Sequence, residues 1–215
     1  MYEILKRQGV LPLITQVDSH IAKIVLRAAA DAGIKAIEYA ARSEDSKRVF
    51  EEMIAFKQEN KLDIKICVGS MLSVEQARLY HCLGADSIVC PHTDPDIGAY
   101  CIENKVYWIP GAATLNEVLN ANKLGADIVK LFPADEIGGA SYVKAIRAPF
   151  PNLKLMPTGG VTLDVENLRK WFSAGVICVG VGSHLFSKKE LVTLTYDTAL
   201  SKFKNLIAVI EEARN

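Results

Sequence analysis

The amino-acid sequence predicts an α/β fold, a single (β/α)8 TIM barrel that covers residues 1–215 and has a short N-terminal helix. Short apolar runs alternate with amphipathic helical stretches along the chain, which is typical of parallel strands joined by crossover helices. There are eight such runs, and helix ends of similar sequence recur between them. No linker-like stretch divides the 215 residues, which are enough for one domain with a sizeable core.

The eight apolar runs are interpreted as strands because each is short and is bounded by turn residues. They are residues 10–15, 34–39, 64–69, 87–90, 106–109, 128–132, 153–157 and 176–180. Most helical stretches between them begin with Ser, Thr or Asp, which are favoured N-cap residues. The clearest helical stretches are residues 19–32, 43–60, 73–83, 164–174 and 196–214.

A faint internal repeat supports this order of elements. The segments Ala32-Gly33, Leu83-Gly84-Ala85-Asp86, Leu124-Gly125-Ala126-Asp127 and Ala174-Gly175 each end a helix directly before an apolar run. Glycine at such a position suits the left-handed C-terminus of a helix. Because two βα units separate consecutive copies, the repeat favours a closed barrel. An open doubly wound sheet is the alternative, since spacing alone does not show closure.

The composition excludes several classes of function. Lys+Arg and Asp+Glu number 25 each, so neither nucleic acid nor a membrane surface is an expected partner. No apolar run is long enough to span a bilayer and residues 1–7 do not resemble a signal peptide, so we expect a cytoplasmic protein. Five cysteines without a CxxC pair and four scattered histidines indicate neither a disulfide framework nor a metal site.

Lys130 is the most informative residue, because it is a lone cation in the apolar run at residues 128–132. Side chains alternate along a strand, so Ile128, Lys130 and Phe132 share one face. Desolvating an ammonium is costly, and a lysine kept neutral in this way is a nucleophile that can form a Schiff base with a carbonyl substrate. The alternative is a lysine that extends to the strand end or pairs with a carboxylate.

Two further polar residues end apolar strands, where barrel enzymes place their active sites. Glu38 could serve as a general acid/base, or could form an ion pair with Arg42 or Lys35 at the barrel rim. Ser70 follows the third strand and could hold a carboxylate, although a turn or helix cap is the better interpretation of this residue alone.

Two Gly-rich turns follow the last two predicted strands, at Thr158-Gly159-Gly160 and at Gly180-Val181-Gly182-Ser183. Many barrels bind phosphate at these positions, because glycine lets backbone N–H groups approach an oxyanion and a following helix N-terminus adds a favourable dipole. Gly138-Gly139 could line the site or form a flexible loop. The segment Ile109-Pro110-Gly111-Ala112 is interpreted as a turn that closes the fifth strand.

With these residues placed, the chain resembles the 2-keto-3-deoxy-6-phosphogluconate (KDPG) / 4-hydroxy-2-oxoglutarate (KHG) aldolase family over about residues 4–190. The most specific matches are residues 129–134, Val-Lys-Leu-Phe-Pro-Ala, and residues 157–161, Pro-Thr-Gly-Gly-Val. The resemblance implies a class I (β/α)8 lyase without metal or other cofactor, usually a homotrimer, that acts on a small keto acid phosphate and releases pyruvate.

The same resemblance implies roles for individual residues. Lys130 corresponds to the Schiff-base lysine and Glu38 to the acid/base. The residues that it places at the substrate are Arg42, Ser70, Pro91, Phe132, Thr158, Gly159, Gly160, Gly182 and Ser183. Arg42 and Ser70 would hold the pyruvate carboxylate, and the glycines with Ser183 would hold the phosphate.

Some positions depart from the family pattern. Ala40-Ala41 replaces a segment with a hydroxylic residue, Cys67-Val68-Gly69-Ser70 replaces Gly-Ala-Gly-Thr, and Cys90-Pro91-His92 replaces Ser-Pro-Gly. These changes leave the catalytic pair intact but put the aldehyde product and its stereochemistry in doubt. The galactonate epimer and KHG are therefore alternative substrates. A sugar-phosphate isomerase or epimerase and a non-catalytic phospho-sugar binding protein are alternatives from other classes.

Overall fold

The computed structural model describes residues 1–15 and 17–215, in which parallel strands alternate with helices. The strands are β1 (Val10–Thr15), β2 (Ala36–Ala40), β3 (Lys65–Gly69), β4 (Ser87–Val89), β5 (Tyr107–Ile109), β6 (Gly111–Ala112), β7 (Val129–Leu131), β8 (Leu155–Pro157) and β9 (Val179–Val181). The helices are α1 (Tyr2–Gln8), α2 (Ser19–Asp31), α3 (Ser46–Glu59), α4 (Val74–Cys82), α5 (Pro95–Glu103), α6 (Leu115–Lys123), α7 (Gly139–Arg147), α8 (Val165–Ser173), α9 (Lys188–Val192) and α10 (Tyr196–Arg214). None of the helices in the described part of the chain is long and apolar enough to cross a membrane.

The strands close into a barrel, as the sequence predicts. Six strands pair in the order β5-β4-β3-β2-β1-β9, and three pair in the order β6-β7-β8. The two sheets meet on one side at Pro110, which separates β5 from β6 and whose carbonyl accepts the Lys130 N–H at 2.8 Å. They meet on the other side where Thr158 bridges to Gly180 and where the Ile177 N–H donates to the Leu155 carbonyl at 2.9 Å. The open doubly wound alternative is therefore wrong.

The predicted turn at Ile109-Pro110-Gly111-Ala112 is also wrong, because the fifth predicted strand continues beyond Pro110 as β6. Pro110 has no N–H to donate and interrupts the ladder for one residue, but Gly111 pairs with Lys130 and Ala112 with Leu131. Some predicted strands begin too early, because burial alone does not make a residue part of a strand. Ile34 is fully buried, yet its N–H donates to the Ala29 carbonyl of the preceding helix, so it belongs to the loop before β2.

The repeated Leu-Gly-Ala-Asp segments form two copies of one structural joint. Gly84 and Gly125 have φ values of +104° and +89°, the left-handed conformation expected after a helix. The carboxylate of Asp86 accepts the Ile66 N–H at 2.9 Å, and that of Asp127 accepts the Trp108 N–H at 2.9 Å. Each aspartate therefore ties the helix end to the preceding strand and sets where the next strand enters the barrel.

The core consists of two clusters of buried side chains. The larger one, the outer cluster, lies between the strands and the surrounding helices. The smaller one, the interior cluster, lies inside the barrel and reaches from its N-terminal end to the level of Glu38 and Lys130. It consists of Leu5, Leu11, Ala36, Cys67, Val89, Ile109, Ile128, Met156 and Cys178. Leu5 is fully buried and comes from α1, the predicted N-terminal helix, which covers this end of the barrel. Polar side chains are thus left to the opposite end, where the strands terminate.

Candidate active site

Lys130 lies in the middle of β7 and points into the barrel. It is 3% exposed, and Ile128, which precedes it on the same face of the strand, belongs to the interior cluster. Its Nζ lies 5.5 Å from the centroid of the Phe132 ring. The side chain therefore remains inside the barrel and does not extend to solvent, with an aromatic ring beside the amine.

Glu38 brings a carboxylate to this amine. Glu38 is 1% exposed, and its Oε1 lies 3.8 Å from Lys130 Nζ. Neither carboxylate oxygen has a hydrogen-bond partner among the described residues. The two alternative ion pairs are wrong, because Lys35 pairs with Asp63 at 2.6 Å and Arg42 hydrogen-bonds to Ser70. An ionisable pair held apart from other partners in a dry interior is an arrangement suited to proton transfer.

Three inward-facing glycines leave room for Glu38 and for other groups around the pair. A Cβ atom on residue 69 would lie 1.9 Å from Oε1 of Glu38, and one on residue 180 would lie 2.2 Å from Oγ1 of Thr158. A Cβ on residue 111, which pairs with Lys130, would lie 2.2 Å from the Pro91 carbonyl. These distances are far below van der Waals contact, so glycine at these positions lets Glu38, Thr158 and the Pro91 backbone lie where they do.

Arg42 and Ser70 form a polar pair at the mouth of the barrel. The Arg42 Nε donates to Ser70 Oγ at 2.7 Å. Ser70 has φ +66°, an unusual conformation for a residue with a side chain, and it lies directly after Gly69. It is not the cap of α4, because Ser73 performs that function. The bond to Nε fixes the guanidinium while its remaining N–H groups have no partner among the described residues, so they can bind a carboxylate.

The two Gly-rich turns lie next to each other across the β8–β9 seam. Gly159 and Gly160 have φ values of +93° and +78°. Thr158 is 6% exposed, and its Oγ1 has no hydrogen-bond partner among the described residues. The expected contribution of a following helix N-terminus is not found, because α8 and α9 start several residues later. One N–H of the first turn of each helix is already bound, that of Asn167 by the Asp164 side chain and that of Glu190 by the Ser187 side chain.

The segment after β4 completes the rim. Pro91 packs against Gly111 through its backbone carbonyl, and Thr93 Oγ1 donates to the Gly111 carbonyl at 2.9 Å. His92 is exposed, and its Nε2 lies 3.8 Å from Oδ2 of Asp94, which caps α5. Gly138 and Gly139 start α7 and line a surface cavity between α7 and α8.

The two thiols beside Lys130 and Glu38 are poor nucleophiles near neutral pH. Burial raises the pKa of the Cys90 thiol to about 12, against the smaller opposing effects of the Trp108 indole and of the nearby Lys130 side chain. Burial likewise raises the pKa of Cys67 to about 12. Both remain protonated thiols near neutral pH. In the described part of the chain, no three or more His, Cys, Asp or Glu side chains are placed to hold a metal ion.

The sequence did not indicate two residues of β1 that line the mouth. Leu13 pairs with Glu38 and Thr15 with Ala40, and both are half-buried at the C-terminal end of the strand. Thr15 Oγ1 donates to the Ala40 carbonyl at 3.0 Å. A hydroxyl that ends an apolar strand was the available signal for Thr15. A leucine within an apolar strand gives no such signal.

A closed parallel barrel with a buried lysine and carboxylate at the C-terminal ends of its strands is the architecture of an α/β-barrel enzyme. The family model for KDPG and KHG aldolase matches residues 1–200. The chain belongs to this aldolase family, and it is therefore an aldolase, a carbon–carbon lyase. This membership favours the aldolase over the isomerase, epimerase and binding-protein alternatives.

Individual relatives agree with this assignment. The 2-dehydro-3-deoxy-phosphogluconate aldolase of Treponema pallidum is 30% identical over 204 residues, 94% of each chain. The 2-dehydro-3-deoxy-6-phosphogalactonate aldolase of Escherichia coli is 29% identical over 187 residues, 86% of each chain. The solved structure of a KDPG aldolase from Legionella pneumophila, with pyruvate captured as a covalent carbinolamine, has a TM-score of 0.85. It covers 94% of this chain and 96% of its own at 23% identity, which shows a shared fold.

Proposed function

We propose that this chain cleaves 2-keto-3-deoxy-6-phosphogluconate to pyruvate and glyceraldehyde 3-phosphate through a Schiff base on Lys130. The observation that carries the proposal is the buried pair of Lys130 and Glu38, with 3.8 Å between Nζ and Oε1. The Legionella relative, whose solved structure holds pyruvate as a covalent carbinolamine, supports the same chemistry.

The reaction starts when the neutral amine of Lys130 attacks the C2 ketone to form a carbinolamine. Glu38 supplies the proton with which the hydroxyl leaves as water, and a protonated imine forms. Glu38, directly or through a water molecule, then takes the C4 hydroxyl proton as the C3–C4 bond breaks, and the electron pair of that bond moves into the imine. The aldehyde leaves, the enamine is protonated at C3, and hydrolysis releases pyruvate and regenerates the amine.

The substrate is held at both ends. The guanidinium of Arg42 and the hydroxyl of Ser70 bind the pyruvyl carboxylate, and Pro91 and Phe132 line the pyruvyl half. The residues that bind the phosphate are Thr158, Gly159, Gly160, Gly182 and Ser183. Fixing the carboxylate and the phosphate aligns the C3–C4 bond with the imine π system, where orientation contributes most to the rate.

The second candidate substrate is the C4 epimer, 2-keto-3-deoxy-6-phosphogalactonate. It is favoured by the Escherichia coli relative, a 6-phosphogalactonate aldolase that is 29% identical to this chain. Both epimers have the same carboxylate, ketone and phosphate, so the residues proposed above would bind either. KHG, which lacks the phosphate, is a further candidate that yields pyruvate and glyoxylate. Steady-state assays of pyruvate release from the three keto acids rank them.

The Schiff base is tested by incubating the enzyme with pyruvate, reducing with borohydride and mapping the adduct by peptide mass spectrometry. We expect a single reduced adduct on Lys130 and none in Lys130→Met. In Glu38→Gln the adduct should still form with pyruvate, while kcat falls by about 10²–10⁴-fold because proton transfer is lost. An adduct on another lysine would overturn the assignment, and full turnover in Glu38→Gln would remove Glu38 from the acid/base role.

We further propose that the chain acts as a homotrimer in the cytoplasm. Exposed apolar side chains support self-association, since Leu72 and Ile102 are 58% and 57% exposed in the single chain. Sedimentation equilibrium measures the mass in solution, and a monomer at micromolar concentration would contradict the trimer.

A further inference from the structure

Leu13 occupies a position between the catalytic carboxylate and the second Gly-rich turn. On one side, Leu13 is in register with Glu38 across the β1–β2 pair. On the other side, a Cβ atom on residue 182 would lie 3.0 Å from both Cγ and Cδ1 of Leu13. The isobutyl side chain is therefore packed against Gly182 while its backbone is held beside the strand that carries the acid/base.

The side chain of Leu13 points into the barrel mouth. Leu11, two residues earlier on the same face, belongs to the interior cluster. Ile14, the next residue along the strand, is 2% exposed and belongs to the outer cluster. Leu13 itself is half-buried and, among the described residues, is a member of neither cluster. Phe132 shares this property, so two large apolar side chains face the mouth without packing into either core.

These positions limit what Leu13 can contact in a bound substrate. The pyruvyl carbons must be at Lys130 and the phosphate at the Gly-rich turns, if the proposed function is right. The carbon chain between the two must then pass from Glu38 towards Gly182, which is the space that Leu13 lines. A leucine offers neither donor nor acceptor, so its contribution is van der Waals contact and exclusion of water.

We infer that Leu13 is a specificity-determining residue, an apolar wall against the carbons beyond C4 that favours a six-carbon phosphorylated keto acid over a shorter one. This role rests on the proposed function. It predicts that the effect of removing the side chain grows with the length of the ligand. Pyruvate ends before the wall, KHG reaches its edge, and the phosphorylated six-carbon acid passes along it.

The test compares these three ligands in Leu13→Ala. We expect kcat/KM for the preferred six-carbon phosphorylated epimer to fall at least about tenfold, since small changes in an apolar pocket are worth about 10–200-fold. The value for KHG should change by less than about threefold, and the rate of adduct formation with pyruvate by less than about twofold. Leu13→Met, which keeps the volume, should restore most of the selectivity.

Ile14→Val is the control, because Ile14 lies on the same strand but faces the outer cluster. In this variant the ratio of kcat/KM for the six-carbon phosphorylated acid to kcat/KM for KHG should equal that of the wild type. An equal fall for all three ligands in Leu13→Ala would assign Leu13 a structural role and overturn the inference. An unchanged ratio of the two kcat/KM values in Leu13→Ala would overturn the inference too. A pyruvate adduct at Lys130 in both the wild type and Leu13→Ala would leave the proposed function standing. If the wild type forms no adduct and cleaves none of the keto acids, the proposed function is wrong and the inference falls with it.

Discussion

At the scale of single residues, the site depends as much on absent side chains as on present ones. Glu38 reaches Lys130 because residue 69 on the neighbouring strand is glycine. The backbone of Gly69 is not in the left-handed region, so its requirement is one of space and not of conformation. The distance of 1.9 Å between a Cβ at this position and Oε1 of Glu38 therefore isolates a purely steric effect on the proposed acid/base.

Gly69→Ala is expected to lower kcat by about 10²-fold, since a displacement of about 1 Å at a reacting group has that effect. Pyruvate trapping at Lys130 should persist, because the lysine lies on another strand. Thermal unfolding measured alongside shows whether the barrel remains intact. Wild-type kcat in a folded Gly69→Ala protein would mean that the position of Glu38 does not limit the reaction.

Whether the sequence could indicate a site residue depends on whether that residue is polar or apolar. Lys130 and Glu38 break an apolar pattern, and a buried strand rarely carries a charge unless that charge is paired or functional. Leu13 obeys the pattern, so nothing distinguishes it from a core residue until the barrel brings it against Gly182. The bond between Arg42 and Ser70 joins two loops after different strands, and such a contact exists only once the register of β2 and β3 is known.

At the scale of elements, the two Leu-Gly-Ala-Asp joints use the same backbone contact under different electrostatics. Burial acts to raise the pKa of Asp86, but hydrogen bonds from Lys65, the Ile66 N–H and Lys57 outweigh it, and the pKa is lowered. Burial raises the pKa of Asp127, and the Trp108 N–H offsets it only in part. The charge of Asp86 therefore stabilises the fold at neutral pH, whereas the charge of Asp127 has a cost.

The sign of each pH dependence follows from these directions. Asp86 has a lower pKa in the folded state, so its stabilisation is present above the unfolded pKa and is lost as the pH falls through the folded value. Asp127 has a higher pKa in the folded state, so its cost is present at neutral pH. That cost is relieved as the pH falls through the folded value towards the unfolded one.

We expect Asp86→Asn to lower the free energy of unfolding at pH 7 by about 1–2 kcal/mol, allowing for screening of the partly exposed lysines. Asp127→Asn keeps an acceptor for the Trp108 N–H and removes the buried charge, so stability at pH 7 should be unchanged or higher. Urea denaturation of both variants and the wild type at pH 7 and at pH 4 measures this. Equal losses in the two variants at pH 7 would show that the joints depend on shape and not on charge.

The limits of sequence-based prediction are also clearest at this scale. Apolar runs identified where strands lie, because burial and strand formation coincide in the middle of each run. They failed at the ends, where Ile34 is buried but bonded to a helix. They failed again at Pro110, whose carbonyl continues a ladder that its missing N–H interrupts. The pattern of apolar residues indicates which residues are buried. It does not indicate which backbone N–H and C=O groups pair, because that depends on the neighbouring elements.

At the scale of the whole molecule, the barrel divides its two ends between stability and chemistry. The interior cluster fills the barrel from its N-terminal end, which Leu5 of α1 covers, up to the level of Glu38 and Lys130. The C-terminal part holds Lys130, Glu38 and Gly69, the glycine that makes room for Glu38. The interior cluster separates α1, the helix that covers the barrel, from the proposed catalytic pair. Substitutions at the N-terminal end should therefore affect mainly the free energy of unfolding, and substitutions at the C-terminal end mainly kcat.

Leu5→Ala tests this separation, with Gly69→Ala as its counterpart at the other end. Truncating a fully buried leucine costs about 2–5 kcal/mol, because contacts are lost and a cavity remains. We expect a corresponding loss in the free energy of unfolding, with kcat and pyruvate trapping within about twofold of the wild type wherever the protein is folded. Ile4→Ala, a half-buried neighbour on the same helix, should cost less and controls for helix propensity. A fall in kcat for Leu5→Ala at a temperature where it is fully folded would show that packing at the N-terminal end of the barrel also positions the proposed catalytic pair.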